Sequence, residues 1–318
     1  MIYKTILVYL THPNLEVWNF KAEHKRLLQS LIPEALVHVC SNSREFKDKL
    51  SEADAVVVWY FKEEWLVKAS RLKFIATPAA GNDWISLKTP KNLKISFGGF
   101  HGTMIAESVI GAIFHFLKAF PLSMVMQEQK KWARIKITEK LQSLYKARVT
   151  IFGFGKIGNT IAKLLKPFGC NITGIRRSEL SVPDYFEVKD KLVGLDQLEI
   201  VLKETDHLIC ALPGGPETDE ILKAIHFSIL PKTSFLYNVG RGNIYKESEL
   251  VEALQKDEIA GAYLDVFREE PLPERSALWG IKNVLLQPHI SAASPQYLEL
   301  FVEELAERLN QKSQINFH

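Results

Sequence analysis

Short apolar runs rich in β-branched residues recur along the chain, each closed by polar, glycine or proline positions. Lys4–Leu10, Ala35–Cys40, Ala55–Tyr60, Leu72–Pro78 and Leu93–Phe97 read as strands, and residues 15–31, 43–51 and 62–70 as helices or turns between them. A second series follows, with strands near 147–152, 171–176, 207–212, 233–238, 259–264 and 283–287. Helical patterns near 156–168, 196–203, 219–228, 247–255 and 295–311 fit between or after them. Such alternation predicts parallel strands joined by helical crossovers. Between the two series a long helix runs from about Thr103 towards Trp132, broken near Pro121. The pair Gly98-Gly99 ahead of it is a place for the chain to change domain.

Composition narrows the classes without choosing among them. Apolar residues make up 47% of 318 positions and charged residues 24%, as in a soluble globular protein. A net charge of +3 is too mild to indicate nucleic acid. The densest basic segment, Lys130, Lys131, Arg134, Lys136 and Lys140, reads as a solvated face, with weak attraction for an anionic substrate or cofactor as the other reading.

Met104 to Met126 is apolar over about a bilayer's length, but Glu107, His115 and Lys118 interrupt it and Pro121 breaks it. A buried core helix is expected there, and no membrane span. Cys40, Cys170 and Cys210 show neither metal-ligand spacing nor a disulfide framework, so no metal is expected. They read as small core residues in a reducing compartment, and the N-terminus is too short and strand-like for a signal peptide. The expected location is cytoplasmic.

The first chemical signature is G-F-G-K-I-G at 153–158, which follows the strand-like A-R-V-T-I-F and opens the helical I-A-K-L-L-K. A dinucleotide site needs that context. Gly153 permits the tight turn, Gly155 lets a pyrophosphate approach the backbone, and Gly158 brings helix and strand together. The next strand ends at Arg176, Arg177 and Ser178, where an NAD site would usually carry a carboxylate for the ribose hydroxyls. Guanidinium groups instead suit the 2′-phosphate of NADP. NADP(H) is therefore the preferred cofactor and NAD(H) a possible one; solvated surface arginines are the bland alternative.

Four polar residues stand at or just past the ends of strand-like runs: Arg241 in N-V-G-R-G, Asp265 and Glu270 in L-D-V-F-R-E-E-P-L-P, and His289 in Q-P-H-I-S. A cation, a carboxylate and an imidazole beside a dinucleotide suffice to reduce a carbonyl that neighbours a carboxylate.

With G-F-G-K-I-G, A-L-P-G-G-P-E-T-D, Y-N-V-G-R-G, L-D-V-F-R-E-E-P-L-P and P-H-I-S in this order and spacing, the chain resembles the D-isomer-specific 2-hydroxyacid dehydrogenase family. The likeness is close over about 100–293 and loose over the first 99 residues. It implies an α/β fold of two doubly wound parallel-sheet lobes: an inserted Rossmann cofactor domain over 100–287, and a flavodoxin-like substrate domain from 1–99 plus 288–318. It also implies an active cleft between lobes whose closure excludes water, and a homodimer built through the helix near 103–132.

Carried over by position, the resemblance makes Arg241 the residue that holds the substrate carboxylate and polarises the keto oxygen. A planar fork of donors suits that task. His289 becomes the general acid of reduction, and Glu270 its partner, favouring the protonated ring. Help of this kind contributes roughly 10²–10⁴-fold. The five-residue step from Asp265 selects Glu270 over the solvated Glu269. Asp265 supports the same network near the nicotinamide, or is purely a structural anchor for its loop. Further cofactor contacts are expected from Phe154, Lys156, Ile157, Leu212, Pro213, Thr218 and Val239, with Gly214-Gly215 an unusual pair that would loosen its loop.

On the substrate side, T-P-A-A-G-N-D-W resembles the family loop whose backbone N–H groups at Ala80 and Gly81 receive the carboxylate, although Asn82 stands where an apolar residue is usual. Trp59 and Trp279 are candidates to shape the pocket, with aromatic core packing as the alternative. Glu107 matches a family position, or stabilises the start of its helix. The expected activity is NADPH-dependent reduction of a small 2-keto acid of glyoxylate or hydroxypyruvate type to the D-2-hydroxy acid. Two other readings stay open: an NAD-dependent, phosphoglycerate-like dehydrogenase, and a dinucleotide-sensing, corepressor-like binding protein.

Overall fold

The computed structural model describes residues 3–13, 15–81, 85, 87–88, 92–177 and 181–311. Ser178, and Asn82 of the T-P-A-A-G-N-D-W stretch, lie outside the described residues. The chain divides into two compact units, Met1–His101 with Ala293–His318, and Gly102–Ala292.

The first unit is built on β1 (Thr5–Tyr9), β2 (Leu36–Val39), β3 (Ala55–Val58), β4 (Phe74–Thr77) and β5 (Lys94–Phe97), in the order β2-β1-β3-β4-β5. Every ladder is parallel. The A-V-V-V of β3 and the F-I-A-T of β4 are buried throughout, as expected where helices cover both faces of a parallel sheet. Helices Ala22–Leu31 and Ser43–Lys49 cross between strands, and Tyr297–Gln311 packs on the first of these. Arg308 of that last helix donates to the Phe97 carbonyl at 2.5 Å, and Glu304 accepts the Gly99 N–H at 2.8 Å. The final helix is thereby fastened to the end of β5.

The second unit carries β6 (Arg148–Phe152), β7 (Asn171–Ile175), β8 (Lys191–Val193), β9 (His207–Cys210), β10 (Phe235–Asn238), β11 (Gly261–Leu264) and β12 (Val284–Leu286). Their order, β12-β11-β10-β9-β6-β7-β8, is the doubly wound order with its reversal between β6 and β9. These ladders are parallel too. Both sheets are therefore of the expected α/β class.

The long helix is broken near Pro121 as expected, into Gly102–Leu117 and Phe120–Glu128, bent by 59°, and three other details differ from the sequence reading. Its break falls at Ala119, whose φ is 50°, and Pro121 opens the second helix, where its missing N–H costs nothing. No single helix among the described residues is long and apolar enough to cross a membrane, though this bent pair passes on length and composition. Residues Met104, Val109 and Ile113 of the first helix are buried. The short edge strand β8 has no alternation that would betray it in sequence. The helix expected over 219–228 begins only at Ala224, because Glu220 and Leu222 donate their N–H groups to Asn243 and Ile244. Glu107 lies beyond the first turn of its helix, so it does not serve as a helix-start carboxylate.

Candidate active site

At the sheet reversal, β6 runs into Gly153, which adopts φ 98°, a conformation open to glycine and costly for other residues. A Cβ on Gly153 would also sit 2.7 Å from the Ala211 carbonyl. One on Gly158 would lie 2.5 Å from the Gly153 oxygen, so both glycines are required for the turn to close. Gly155 is different: nothing lies within 4 Å of where its Cβ would be. That open space stands at the N-terminus of helix Lys156–Leu165, and fits an anionic pyrophosphate approaching bare N–H groups.

The side chains around this turn divide by burial. Phe154 and Val239 are core residues, 3% and 6% exposed, so only their backbones can face a ligand. Ile157 packs against the same core, while Lys156 is exposed.

At the far end of β7, Arg177 forms an exposed ion pair with Glu217, and the Arg176 N–H donates to the Val193 carbonyl. The loop carrying Glu217 follows β9. Thr218 closes it by donating to the carbonyls of Pro213 at 2.8 Å and Gly215 at 3.1 Å. The glycine pair at 214–215 is therefore held within a tied loop, beside a half-buried Leu212.

Arg241 follows β10 on a turn held from both sides. A Cβ at Gly240 would meet the Leu212 backbone at 2.5 Å, and one at Gly242 would overlap the Phe267 carbonyl carbon at 1.9 Å. The G-R-G spelling thus reflects two close backbone crossings, with the arginine between them. Buried Asn238 completes the turn: its side chain accepts the Gly240 N–H and donates to the Arg241 carbonyl and the Tyr245 hydroxyl, each at 3.1 Å. Gly214 abuts the arginine stem, since a Cβ there would lie 3.2 Å from Arg241 Cγ. The guanidinium donates from Nη1 to the Gly240 carbonyl at 2.9 Å.

Asp265 ends β11 and is 1% exposed. Its carboxylate accepts the Ile290 N–H at 2.8 Å and the Ser291 N–H at 3.0 Å, and its carbonyl accepts the His289 N–H at 2.8 Å. The segment after β12 is thereby turned so that His289 takes φ 56°. The ring Nδ1 then meets Glu270 Oε2 at 2.8 Å, while Glu270 Oε1 accepts the Phe267 N–H at 2.9 Å. Neighbouring Glu269 points elsewhere and pairs with Arg275.

These contacts bias both groups towards their charged forms. The hydrogen bond to Glu270 raises the His289 pKa above its ordinary value, against burial and the Arg241 charge. Burial pushes the Glu270 carboxyl up, but the His289 and Phe267 hydrogen bonds and the Arg241 charge leave it below the usual carboxylate range. A depression of about 520 Å³ opens beside the pair, walled by Phe267, Leu272, Trp279 and Leu286. Trp279, 58% exposed, is held there by its indole N–H, which donates to the Pro273 carbonyl at 3.0 Å.

Sequence comparison covers the same part of the chain. A family model described as D-isomer specific 2-hydroxyacid dehydrogenase, NAD binding domain, matches residues 110–291, more than half of the chain. The chain belongs to the D-isomer-specific 2-hydroxyacid dehydrogenases. Glyoxylate/hydroxypyruvate reductase A of Citrobacter koseri is 30% identical over 264 residues, covering 80% of this chain and 82% of that one. The crystal structure of a family protein from Aeromonas salmonicida is similar, with TM-score 0.78, 27% identity and 97% and 96% of the two chains covered. An NADPH-dependent glyoxylate/hydroxypyruvate reductase from Sinorhizobium meliloti, solved with NADP and sulfate, shares the fold at TM-score 0.74 and 23% identity, with 97% and 96% covered.

For a member of this dehydrogenase family, the described structure thus gathers Arg241, Asp265, Glu270 and His289 at the carboxyl ends of β10, β11 and β12. Trp59, Ala80 and Gly81 belong to the other unit. Trp59 follows β3, only 8% exposed, with its ring centroid 5.6 Å from Trp18 and 6.2 Å from Tyr297. Ala80 and Gly81 lie just past the end of β4, Ala80 exposed. Asn238 is the dehydrogenase residue that sequence reasoning passed over. An Asn just before a glycine-flanked turn is the signal, since its side chain can bond to the backbone beyond it.

Proposed function

We propose that the chain is an NADPH-dependent reductase of small 2-keto acids of glyoxylate or hydroxypyruvate type, yielding the D-2-hydroxy acid. The observation that carries this reading is the His289–Glu270 hydrogen bond at 2.8 Å, with Arg241 close enough for its charge to act on both groups. Because Nδ1 is engaged by Glu270, Nε2 is the ring nitrogen left to deliver a proton to the keto oxygen. Glu270 keeps the ring charged, and Arg241 grips the substrate carboxylate and polarises the carbonyl. When bound, the nicotinamide supplies the hydride. Asp265 acts by holding the backbone of the His289 turn.

Other assignments complete the proposal. Residues 1–99 with 288–318 form the substrate domain, whose Ala80 and Gly81 N–H groups receive the carboxylate, and 100–287 the cofactor domain. Arg176 and Arg177 take the 2′-phosphate, a reading supported by the basic end of β7. The chain forms a homodimer through the helical segment near 103–132, where Met124 and Trp132 are 62% and 88% exposed. Sedimentation of the purified protein as a monomer would exclude that assembly.

The decisive experiment is a panel of 2-keto acids assayed with both nicotinamide cofactors. NADPH is expected to give the higher kcat/KM; equal or better use of NADH would remove the arginine assignment. His289→Ala should cut reduction severely and leave NADPH affinity nearly intact. Wild-type turnover by that variant would take His289 out of the chemistry.

A further inference from the structure

A cluster in the five-stranded unit has no part in this chemistry. His38 lies in β2 and Cys40 just beyond it, two residues apart on extended backbone, so both face one side. Asn42 then caps helix Ser43–Lys49 by accepting the N–H groups of Arg44 and Glu45, and this turn carries Glu45 back over the strand end. His38 Nε2 and Glu45 Oε1 stand 2.7 Å apart, and one ligand atom from each of His38, Cys40 and Glu45 lies within 4.8 Å of the other two.

We propose that His38 Nε2, Cys40 Sγ and Glu45 Oε1 bind one Zn²⁺ ion, with a water in the fourth position. An imidazole, a thiolate and a carboxylate form a mixed donor set that suits this borderline-soft metal. Tetrahedral bonds of 2.0–2.3 Å place donor atoms roughly 3.3–3.8 Å apart, so small side-chain rotations bring these three to that spacing. The His38–Glu45 hydrogen bond marks the ion's position: two lone pairs converge on one proton, and the cation replaces it.

The surrounding contacts favour this exchange. Glu45 Oε2 is held by the N–H and hydroxyl of Ser41, both at 2.8 Å, so the carboxylate is oriented while Oε1 turns to the metal. Cys40 is a buried free thiol. On binding, the Cys40 S–H bond breaks and its proton leaves to solvent, and the proton between His38 Nε2 and Glu45 Oε1 leaves to solvent or is exchanged onto Nδ1; S–Zn, N–Zn and O–Zn bonds form with no change of oxidation state. His38 and Glu45 are partly exposed, at 36% and 29% of their side chains, which gives the ion an entry path at the edge of the sheet. The ion would clip edge strand β2 to the following helix.

Metal-stripped full-length protein titrated with Co²⁺, then challenged with Zn²⁺, tests the site. One equivalent of Co²⁺ should produce a thiolate-to-cobalt charge-transfer band, which Zn²⁺ abolishes. Cys40→Ser should lose the band, and His38→Ala and Glu45→Gln should weaken binding by more than about ten-fold. Keto acid reduction by Glu45→Gln should match the wild type. If Cys40→Ser does not fold, the other two variants decide. Stoichiometric Co²⁺ without that band, an undiminished band in Cys40→Ser, or unchanged affinity in both other variants would overturn the site.

Discussion

His289 and Asp265 are bound backbone to backbone: the His289 N–H donates to the Asp265 carbonyl at 2.8 Å, and the aspartate side chain takes the next two N–H groups. His289 sits at φ 56°, a left-handed conformation that non-glycine residues rarely hold without outside restraint. Asp265→Ala leaves one buried and one partly buried N–H group without their acceptor, at about 2 kcal/mol. The ring should then drift from its working position, with kcat falling on the order of 10²-fold and NADPH affinity changing far less. Thermal melts and steady-state kinetics measure both; an unchanged kcat would show that the turn holds without the carboxylate.

Under the role proposed for His289, the Glu270–His289 bond sets the pH range of reduction. The reaction needs a protonated ring, and Glu270 raises the His289 pKa, so activity is full at low pH and is lost as pH climbs through that raised value. In Glu270→Gln the ring loses its anionic partner, and the alkaline limb of log kcat/KM should move to lower pH. A limb in the same place would assign it to another group.

Two glycines beside Arg241 should respond differently to one added methyl group. Gly214→Ala places a Cβ 3.2 Å from Arg241 Cγ, a contact relieved by a shift of the arginine stem. The keto acid KM should rise several-fold with the melting temperature nearly intact. Gly242→Ala drives its Cβ into the Phe267 backbone, which cannot yield, and should destabilise by about 3 kcal/mol. Equal stability losses would contradict this division.

Arg177 is paired with Glu217. Under the NADPH assignment the carboxylate competes with the 2′-phosphate for one guanidinium. Glu217→Gln should lower the NADPH KM a few-fold, more so at low ionic strength, and leave the NADH KM alone. Equal change for both cofactors would separate Arg177 from the ribose phosphate.

The alternation of strands and helices was legible because parallel strands, buried on both faces, spell continuous apolar runs. The glycine-rich turn was legible because its backbone demands glycine. G-R-G was visible as a pattern, but the sequence is silent on the two chain crossings that require it. Glu270 could be singled out by its step from Asp265, whereas the bond between Asp265 and the residues after His289 spans two strands and leaves no local trace. Edge strand β8 is too short to show a period. The His38–Cys40–Glu45 cluster escaped because its spacing crosses a strand, a cap and a helix, and contains only one thiol.

Asn238 and Leu264 are register partners, as are Leu264 and Leu286, so β10, β11 and β12 finish on one line about 4.8 Å from strand to strand. Arg241, Asp265 and His289 hang just past that line. Extra residues in the turns at 256–260 and 281–283, just before β11 and β12, would bulge away at the opposite rim and leave the spacing of guanidinium and imidazole untouched. A single residue inserted between Leu286 and His289 would misplace the ring, so tolerance to lengthening is confined to one edge of the molecule.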